Sequence, residues 1–414
     1  MEPVWLQERR QRALEQYTAL PIPAKGEGWI RTNFAKDKIE TLAPLTQISN
    51  GVKAEEIAAW LPTPLLSVGS LLYGEKNSHP FLEESVRQQG VILLPLAKAL
   101  EQFPDKIAPF LGTVSCDRDN KLIAQNDAYW NTGVFLYIPK DCALSGPIVL
   151  VQNCSSEGTS LLPRVVVVAE AGSKTTVVHY AISQNKEKIN FVNGIFEIYV
   201  QQNAQLNWID LQNLGENTFD FAWKRVEVAQ GATFNGFLEL QGGRKGKWDL
   251  EVCLKGPGAK SEIVGLVQLN KKQHLELNSL THHTTPETTA NILVKTSVTD
   301  EARSVFQGMI RIEKAAQKTN SYMANHNLLL SDHCHADTIP RLEIEADDVK
   351  ASHGATISHV DSEQMFYLQS RGLETTDACQ LLVDGFYEDI FGRIPVPEVR
   401  ELMRKNTQRK QEAA

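Results

Sequence analysis

The sequence lacks long hydrophobic segments. Its best candidates, residues 91–100 and 165–169, are short and interrupted, whereas a membrane-spanning helix needs about 18 or more apolar residues. The N-terminal residues 1–12 are charged and lack the apolar core of a secretory signal. We therefore expect a cytoplasmic protein without a membrane-spanning segment.

An excess of basic residues is also absent. The 414 residues include 42 Lys and Arg against 50 Asp and Glu, for a formal net charge of −8. Such a surface does not attract a phosphate backbone, so we expect no nucleic-acid partner. The hydrophobic fraction of 42% and the charged fraction of 22% are typical of a folded globular protein. At about 150 residues per domain, the chain has room for two or three domains.

Cysteine is scarce and scattered. The six cysteines stand at positions 116, 142, 154, 253, 334 and 379. They form neither the Cys-x-x-Cys pairs of a zinc site nor the dense framework of a disulfide-rich protein. We expect reduced, mostly buried thiols.

The common catalytic motifs are missing as well. The nearest imitation of a phosphate-binding loop, QGGRKGKW at 241–248, has Gln241 in place of the first glycine and Trp248 in place of the magnesium-binding Ser or Thr. Dinucleotide-binding, nucleophile-elbow and His-Glu-x-x-His zinc motifs do not occur. The chain by itself is therefore not expected to hydrolyse nucleotides.

Helical patterns occupy both ends of the sequence. Apolar residues at helical spacing predict an N-terminal helix that ends before Pro21, and shorter helices at 54–60, 81–89 and 96–103 in a mixed region. Helical periodicity returns after about residue 366. One apolar face there comprises Ala378, Leu381, Leu382, Phe386, Ile390 and Phe391. Two prolines precede a last predicted helix at 399–407, and we expect residues 405–414 to be frayed.

The region between these ends is predicted to be all β. From about residue 148, short runs of Val, Ile and Leu alternate with Gly, Asn and Asp. A turn residue followed by a small residue recurs within it, at Gly172-Ser173, Asn203-Ala204, Gly231-Ala232, Gly258-Ala259 and Glu301-Ala302. The small residues are 31, 28, 27 and 43 positions apart. This recurrence favours a β-solenoid of stacked coils over a β-sandwich with similar turns.

Histidines are concentrated late in the chain, at 282, 283, 326, 333, 335, 353 and 359. Imidazole and thiolate are ligands for iron, zinc and copper. His333 and His335 flank Cys334 and would share one face of a strand, which makes them a candidate metal pair, but we favour the interpretation that they belong to a polar surface loop. We interpret His282 and His283 as hydrogen-bonded turn residues. The small neighbours Ser352 and Gly354 also predict that His353 is a structural histidine in a turn.

Acidic residues near the end of the β region leave a second class of function open. A β-solenoid that cleaves polysaccharides would need clustered carboxylates. Glu343, Glu345, Asp347 and Asp348 are the candidates, and alternation along the chain favours solvated turn and outward positions for them.

Long segments of the sequence resemble the SufB/SufD family of iron–sulfur cluster assembly proteins. The strongest similarity lies in TDEARSVFQGMIRIEKAAQKTN at 299–320, NLLLSD at 327–332 and PRLEIEADDVKASHGATISHVDSEQMFYLQSRGL at 340–373. Weaker similarity extends through 281–290, 135–151 and 19–32. SufB carries a cysteine where this chain has Asn325, and His-Glu-Ala-Thr where this chain has His353 followed by Gly-Ala-Thr. The chain is therefore most similar to the SufD branch.

The resemblance implies a mainly β fold, with a right-handed parallel β-helix core. It predicts an N-terminal helical and mixed domain at 1–140, the β-helix at 141–365 and a C-terminal helical domain at 366–414. The C-terminal domain would dock the ATPase SufC, with Leu381, Leu382, Phe386, Ile390 and Phe391 as the contact face. We expect the β-helix to fold without residues 372–414.

The resemblance also implies a non-catalytic scaffold that works with SufB and SufC. A transient iron–sulfur cluster would form at the SufB interface, where His353 is the matching ligand. SufD commonly has a cysteine two places before this histidine, but this chain has Ala351, so a thiolate role does not carry over. We expect no tightly bound cofactor on the isolated chain, which could form a homodimer. A polysaccharide-active enzyme and a stand-alone metal-binding protein remain the alternatives.

Overall fold

The computed structural model describes residues 2–24, 26, 28–45, 49–52, 67–113, 120–154, 158–183 and 189–412. The described helices are α1 (Val4–Ala19), α2 (Glu84–Gln88), α3 (Leu96–Gln102), α4 (Pro104–Ile107), α5 (Lys121–Tyr129), α6 (Ser362–Ser370), α7 (Thr375–Phe391) and α8 (Pro397–Glu412), with a 3₁₀ turn at Ile39–Thr41. The chain is thus helical near both ends, as predicted.

The strands dominate the rest of the chain. In chain order they are β1 (Ala43–Pro44), β2 (Ser49–Val52), β3 (Gly69–Gly74), β4 (Lys76–Ser78), β5 (Phe81–Leu82), β6 (Ile92–Pro95), β7 (Thr132–Ile138), β8 (Ile148–Asn153), β9 (Thr159–Leu161), β10 (Pro163–Ala169), β11 (Lys174–Ile182), β12 (Asn190–Val200), β13 (Gln205–Asn213), β14 (Thr218–Val228), β15 (Thr233–Leu240), β16 (Lys245–Leu254), β17 (Lys260–Leu269), β18 (His274–His283), β19 (Thr289–Val298), β20 (Arg303–Ile312), β21 (Asn320–Leu329), β22 (His335–Ile344) and β23 (Lys350–His359).

Successive strands alternate between two large sheets. Sheet 1 has the order β22-β20-β18-β16-β14-β12-β10-β7-β6, and sheet 2 has the order β23-β21-β19-β17-β15-β13-β11-β8-β3-β5. From β10 onward the pairings along these two orders are parallel, as in β14 with β12 and β16. The chain therefore winds into a β-solenoid of about eight coils. This confirms the mainly β solenoid prediction and excludes the sandwich, whose sheets are antiparallel.

The recurring turn motif marks one corner of each coil. Gly172, Asn203, Gly231 and Gly258 have φ angles of 71°, 58°, 63° and 71°, and each is followed by a fully buried small residue. A left-handed residue reverses the chain, and a small residue fits the narrow corner that follows. Glu287-Thr288 and Lys318-Thr319 continue this corner with bulkier residues. Glu301-Ala302 precedes β20 and therefore lies at the opposite corner of the coil. Its inclusion in the predicted series was wrong, and the spacing of 43 residues that it gave is not a spacing between equivalent corners.

The main core lies between the two sheets, where aliphatic side chains from successive coils stack. The outer face of sheet 1 is covered in its first half by α1, α3, α5 and the segment around Trp29 and Phe34. The outer face of sheet 2 is covered by α7 and α8. The β-helix was expected to fold without residues 372–414. Removing α7 and α8 would expose a large apolar face of sheet 2, so this expectation stays a prediction, and the burial of that face argues against it.

Several local predictions are settled by the described residues. The helices predicted at the N-terminus and at 96–103 are confirmed as α1 and α3, and the helix predicted at 81–89 is reduced to α2. The helix predicted at 54–60 and Cys116 lie outside the described residues. The other cysteines are unpaired, and all but Cys379 are buried.

The predicted fraying of the C-terminus is wrong. Helix α8 continues to Glu412, and its last turn is bonded to the solenoid. The Lys410 Nζ atom donates to the Gln241 carbonyl at 2.7 Å and to Gln273 Oε1 at 2.5 Å. The Asn406 Nδ2 atom donates to Glu239 Oε2 at 2.9 Å. These bonds hold the helix on sheet 2, where periodicity alone predicted an end at residue 407.

Candidate functional site

The solenoid is open at its C-terminal end. Strand β22 pairs with β20, and β23 pairs with β21; within the part of the chain that the structure describes, neither has a sheet neighbour on its other side. Apolar side chains are exposed at this end, with 40% exposure at Ile344, 46% at Ile357 and 45% at Tyr322. An uncovered strand edge beside exposed apolar residues is suited to receive a strand from another chain.

His353 lies in the middle of β23, on this open edge. It is paired in register with Met323, which is fully buried in the core between the sheets. Paired residues of parallel strands face the same side of a sheet, so the imidazole belongs to the inward face of the last coil. It is nevertheless exposed, because no further coil covers it. The interpretation of His353 as a turn residue was wrong.

The neighbourhood of His353 leaves the imidazole available. Gly354 lets Tyr322 approach closely, since a Cβ atom there would lie 3.2 Å from the tyrosine hydroxyl. Ala351, two residues before the histidine, packs against the inner core. Among the described residues, the His353 ring accepts or donates no hydrogen bond and joins no ion pair. Both ring nitrogens are therefore open to an incoming ligand.

Asn325 is a residue on which the distinction between the SufB and SufD branches rests. It is buried, and its Nδ2 atom donates to the Val294 carbonyl at 3.2 Å. Its Oδ1 atom accepts a bond of 2.7 Å from Asn327. Both polar atoms of the Asn325 amide are thus hydrogen-bonded inside the solenoid, so this position stabilises the coil and offers no metal ligand of the thiolate type.

The candidate pair His333 and His335 is not assembled into a three-ligand site. His333 lies in a bend before β22, and His335 Nε2 stands 3.4 Å from Asp337 Oδ1. The Cys334 thiol is buried and donates to the Ser331 carbonyl at 3.1 Å. Within the described ranges, no third Cys, His, Asp or Glu joins these two imidazoles at metal-binding distance.

His282 and His283 are hydrogen-bonded, as predicted, although they end strand β18 and do not lie in a turn. The His282 Nε2 atom is 2.7 Å from Glu313 Oε1, and His283 Nδ1 is 2.8 Å from Thr288 Oγ1. Burial lowers the pKa of His283 to about 4. His283 therefore stays neutral and structural at physiological pH.

The predicted docking face on α7 is buried in one part and exposed in another. Ile390 and Phe391 are buried against the outer face of sheet 2, and Phe386 packs partly against the same cluster. Leu381 is 52% exposed and forms an apolar groove with Leu382 and with residues of α6. Of the predicted set, a partner can reach Leu381 and Leu382.

Sequence reasoning missed two exposed aromatic residues beside that groove. Phe366 and Tyr367 of α6 are 73% and 56% exposed. Adjacent aromatic residues on a short helix were visible in the sequence, but only the tertiary structure leaves them uncovered. The exposed apolar patch of α6 and α7 therefore consists of Phe366, Tyr367 and Leu381.

A buried ionic network inside the solenoid was also missed. Lys224 is bonded to Asp210, and His179 Nδ1 is 2.8 Å from Asp210 Oδ1. The Tyr73 hydroxyl lies 2.7 Å from His179 Nε2. Burial acts to raise the pKa of Asp210, but the neighbouring Lys224 and His179 outweigh it and lower that pKa well below its usual value. Asp210 is thus a carboxylate held by Lys224 and His179, and its Oδ2 atom also accepts a bond of 2.9 Å from Trp208 Nε1.

The positions predicted for the acidic residues are confirmed. Glu343, Glu345, Asp347 and Asp348 are exposed, as the alternating pattern indicated. Of the helices that the structure describes, none is both long enough and apolar enough to cross a membrane.

Comparison with known proteins agrees with these features. The family model of the SUF-system FeS cluster assembly SufBD core domain matches residues 151–386, and that of the SufBD protein N-terminal region matches residues 65–150. The Bacillus subtilis iron–sulfur cluster assembly protein SufD is 29% identical over 99% of this chain and 94% of its own length. An iron–sulfur cluster assembly SufBD family protein of Staphylococcus saprophyticus is 25% identical, over 97% of this chain and 89% of its own length. The chain belongs to the SufBD family of the SUF iron–sulfur cluster assembly system.

Proposed function

We propose that this chain is a SufD-like, non-catalytic scaffold subunit that works with a SufB-type partner and the ATPase SufC in the cytoplasm. The open last coil carries this proposal, because it presents an unpaired strand edge and an available imidazole at one place. The sequence has no phosphate-binding loop of its own, so ATP hydrolysis would come from SufC.

The open edge is suited to a second solenoid. A partner with a similar terminal coil would continue the sheets through β22 and β23 and cover Ile344 and Ile357. A SufB-type chain is the occupant we propose in the working complex. In isolation, a second copy of this chain would cover the same surface and give a homodimer.

A nascent cluster at this junction would take His353 as one ligand. Iron–sulfur clusters are held mainly by thiolates, with imidazole as an occasional ligand. Ala351 supplies no thiolate, so the thiolates would come from the partner. A cluster held across an interface by mixed ligands is suited to transfer, and the cluster is cargo of the complex.

The exposed patch of α6 and α7 is the place we propose for SufC. Its members Phe366, Tyr367 and Leu381 are apolar and more than half exposed, whereas Ile390 and Phe391 hold α7 on the solenoid. Point substitutions in the patch are the appropriate test of docking, because deletion of residues 372–414 would also uncover sheet 2.

His353→Ala tests the scaffold role directly, with His359→Ala as the matched control. Both histidines are exposed on the inward side of β23, and six residues of extended strand separate them by about 20 Å. We expect His353→Ala to keep its thermal midpoint and its recovery in a complex with the SufB-type and SufC partners, but to lose most of its reconstituted cluster absorbance.

His359→Ala should retain the cluster. Equal loss from both variants, or full cluster loading in His353→Ala, would contradict the ligand role. Failure of the wild-type chain to recover either partner from native lysate would contradict the scaffold proposal as a whole.

A further inference from the structure

Three side chains with metal-binding atoms meet on the outer face of sheet 1. They are Glu251 and Cys253 of β16 and His282 of β18, and their ligand atoms all lie within 4.8 Å of one another. Cys253 and His282 are register partners on adjacent parallel strands. Glu251 precedes Cys253 by two residues and so shares its face. Backbone pairing, and not a flexible loop, therefore brings the three groups together.

The three donors suit a divalent transition metal. Thiolate, imidazole and carboxylate are the ligands of tetrahedral Zn²⁺ sites, at about 2.0 to 2.3 Å from the ion. Ligand atoms at those distances stand about 3.5 Å apart along a tetrahedron edge. The Cys253 Sγ atom already lies 3.2 Å from Glu251 Oε1. Small side-chain rotations would complete the geometry.

Neighbouring charges orient two of these donors. His282 Nε2 lies 2.7 Å from Glu313 Oε1. With Nε2–H donating to this carboxylate, Nδ1 carries the lone pair, the arrangement that fixes metal-binding histidines in many proteins. Arg225 Nη1 lies 3.5 Å from Glu251 Oε2, which leaves Oε1 for the thiol side. The supporting groups of a metal site are thus in place.

The three candidate ligands differ in how deeply they are buried. Cys253 is 1% exposed, while the side chains of Glu251 and His282 are 13% and 20% exposed. An ion would reach the thiol past these two side chains, and a solvent oxygen would complete four-coordination. One thiolate and one carboxylate balance the charge of a divalent ion, so the bound site would be neutral.

We propose that Glu251, Cys253 and His282 bind one divalent transition-metal ion of the zinc class. Without metal, the Cys253 thiol donates a hydrogen bond to Glu251 Oε1. On binding, the S–H bond breaks, a metal–sulfur bond forms and the proton leaves to solvent; no electron is transferred. Divalent first-row metals bind a given site in a general order of affinity, in which Fe²⁺ comes below Co²⁺ and Zn²⁺. We therefore expect this site to bind Co²⁺ and Zn²⁺ more tightly than Fe²⁺.

This site is separate from the open end of the solenoid. Strands β20 and β22 lie between β18 and the sheet edge, a distance of about 10 Å at the usual strand spacing. All three ligands come from this chain. Metal binding can therefore fail or succeed independently of the scaffold role proposed above, and His353→Ala should leave it unchanged.

Cobalt titration of the full-length, chelator-treated chain tests the site. We expect one equivalent of Co²⁺ to give a thiolate-to-cobalt charge-transfer band that Zn²⁺ displaces. The band should disappear in Cys253→Ala, and the Co²⁺ affinity should fall at least tenfold in Glu251→Gln and His282→Gln. Glu313→Gln should weaken binding by about tenfold, as loss of an orienting partner usually does.

Cys334→Ala and His335→Gln are the matched controls, because they alter the other Cys and His cluster. Both should keep the band. A wild-type chain without thiolate-bound Co²⁺ would overturn the proposal, and so would a band that survives Cys253→Ala or vanishes in Cys334→Ala. Glu251→Gln leaves the cysteine in place, so unchanged affinity in that variant would also overturn it, even if Cys253→Ala did not fold.

Discussion

The two ends of the solenoid are finished in opposite ways. At the N-terminal end, β6 and β5 pair antiparallel with β7 and β3 and so interrupt the parallel repeat. Helices then cover the outer face of the first coils. At the C-terminal end, β22 and β23 follow the regular register up to an edge that none of the described strands covers. Natural proteins normally protect such edges; this one is protected at one end and exposed at the other.

The interior differs along the same axis. Near the N-terminal half, Lys224, Asp210 and His179 form an ionic network that is almost fully buried. At the last coil, the inward-facing His353 and Ile357 are exposed. Polar groups in the first region must satisfy one another, whereas those in the second can bind something from outside. Inward-facing positions thus stabilise the fold in one coil and are available for recognition in another.

The largest effect should come from breaking the buried network. Lys224→Ala leaves Asp210 without its cation, and we expect the free energy of unfolding to fall by about 3–5 kcal/mol. Denaturant titration measures this loss. Lys255→Ala, which removes a half-exposed partner of Glu227, should cost about 1 kcal/mol or less. Similar losses from both variants would contradict the distinction between the two kinds of ion pair.

A smaller effect should appear beneath α8. Burial raises the pKa of Glu239 to about 8, against its usual 4.5, although the Asn406 hydrogen bond acts to lower it. Between these pH values the folded chain holds a proton that the unfolded chain releases. Stability should therefore fall as pH rises from about 5 to 8, by up to about 4 kcal/mol in total.

Glu239→Gln should flatten that pH dependence and raise the thermal midpoint at pH 8. The control is Glu216→Gln, whose side chain is 69% exposed and whose loss should leave the slope unchanged. Thermal midpoints measured across this pH range decide the question. A Glu239→Gln variant with the wild-type slope would show that the carboxylate is not protonated beneath the helix.

At the open end, a substitution should alter association and not stability. Ile357→Asp changes an exposed residue, so we expect the free energy of unfolding to change by no more than about 0.5 kcal/mol. Light scattering and pull-down should nevertheless show loss of the proposed homodimer and of the proposed complex with a SufB-type partner. Ser358→Asp, on the outward side of the same strand, should have a weaker effect. Intact association in Ile357→Asp would argue against this edge as the interface.

The smallest stability effect is expected on α7. Leu381→Asp should leave the thermal midpoint nearly unchanged, within about 0.5 kcal/mol of stability, while it weakens capture of SufC. Val4→Asp introduces the same charge at an exposed residue of α1 and should capture SufC normally. Equal capture by both variants would remove the α6–α7 patch from the proposed interface.

Much of the coil architecture could be predicted because it is local. A left-handed residue and a small residue after it, as in Asn203-Ala204 or Gly231-Ala232, are recognisable without any other part of the chain. The error at Glu301-Ala302 arose because both corners of a coil use turn residues, and only strand pairing tells which corner a turn belongs to. Helix α3 and the long β region were predicted for the same local reason.

The candidate sites were less predictable because they depend on what lies one coil away. Cys253 and His282 are far apart in sequence, yet they are register partners. His353 was assigned to a turn because its small neighbours are compatible with either a turn or a strand. His353 is exposed because it lies on the last coil of the solenoid. The residues next to it in the sequence do not show that no further coil follows.

The sequence by itself determined the repeat, the small corner residues, the helical ends and the resemblance to the SufBD family, because these depend on backbone preferences and on long contiguous motifs. Only the tertiary structure decided that Ile390 is buried while Leu381 is exposed, that Lys224 meets Asp210, and that one end of the solenoid is uncovered. Burial and pairing are properties of neighbours in space, and stacking coils makes neighbours of residues that the sequence keeps apart.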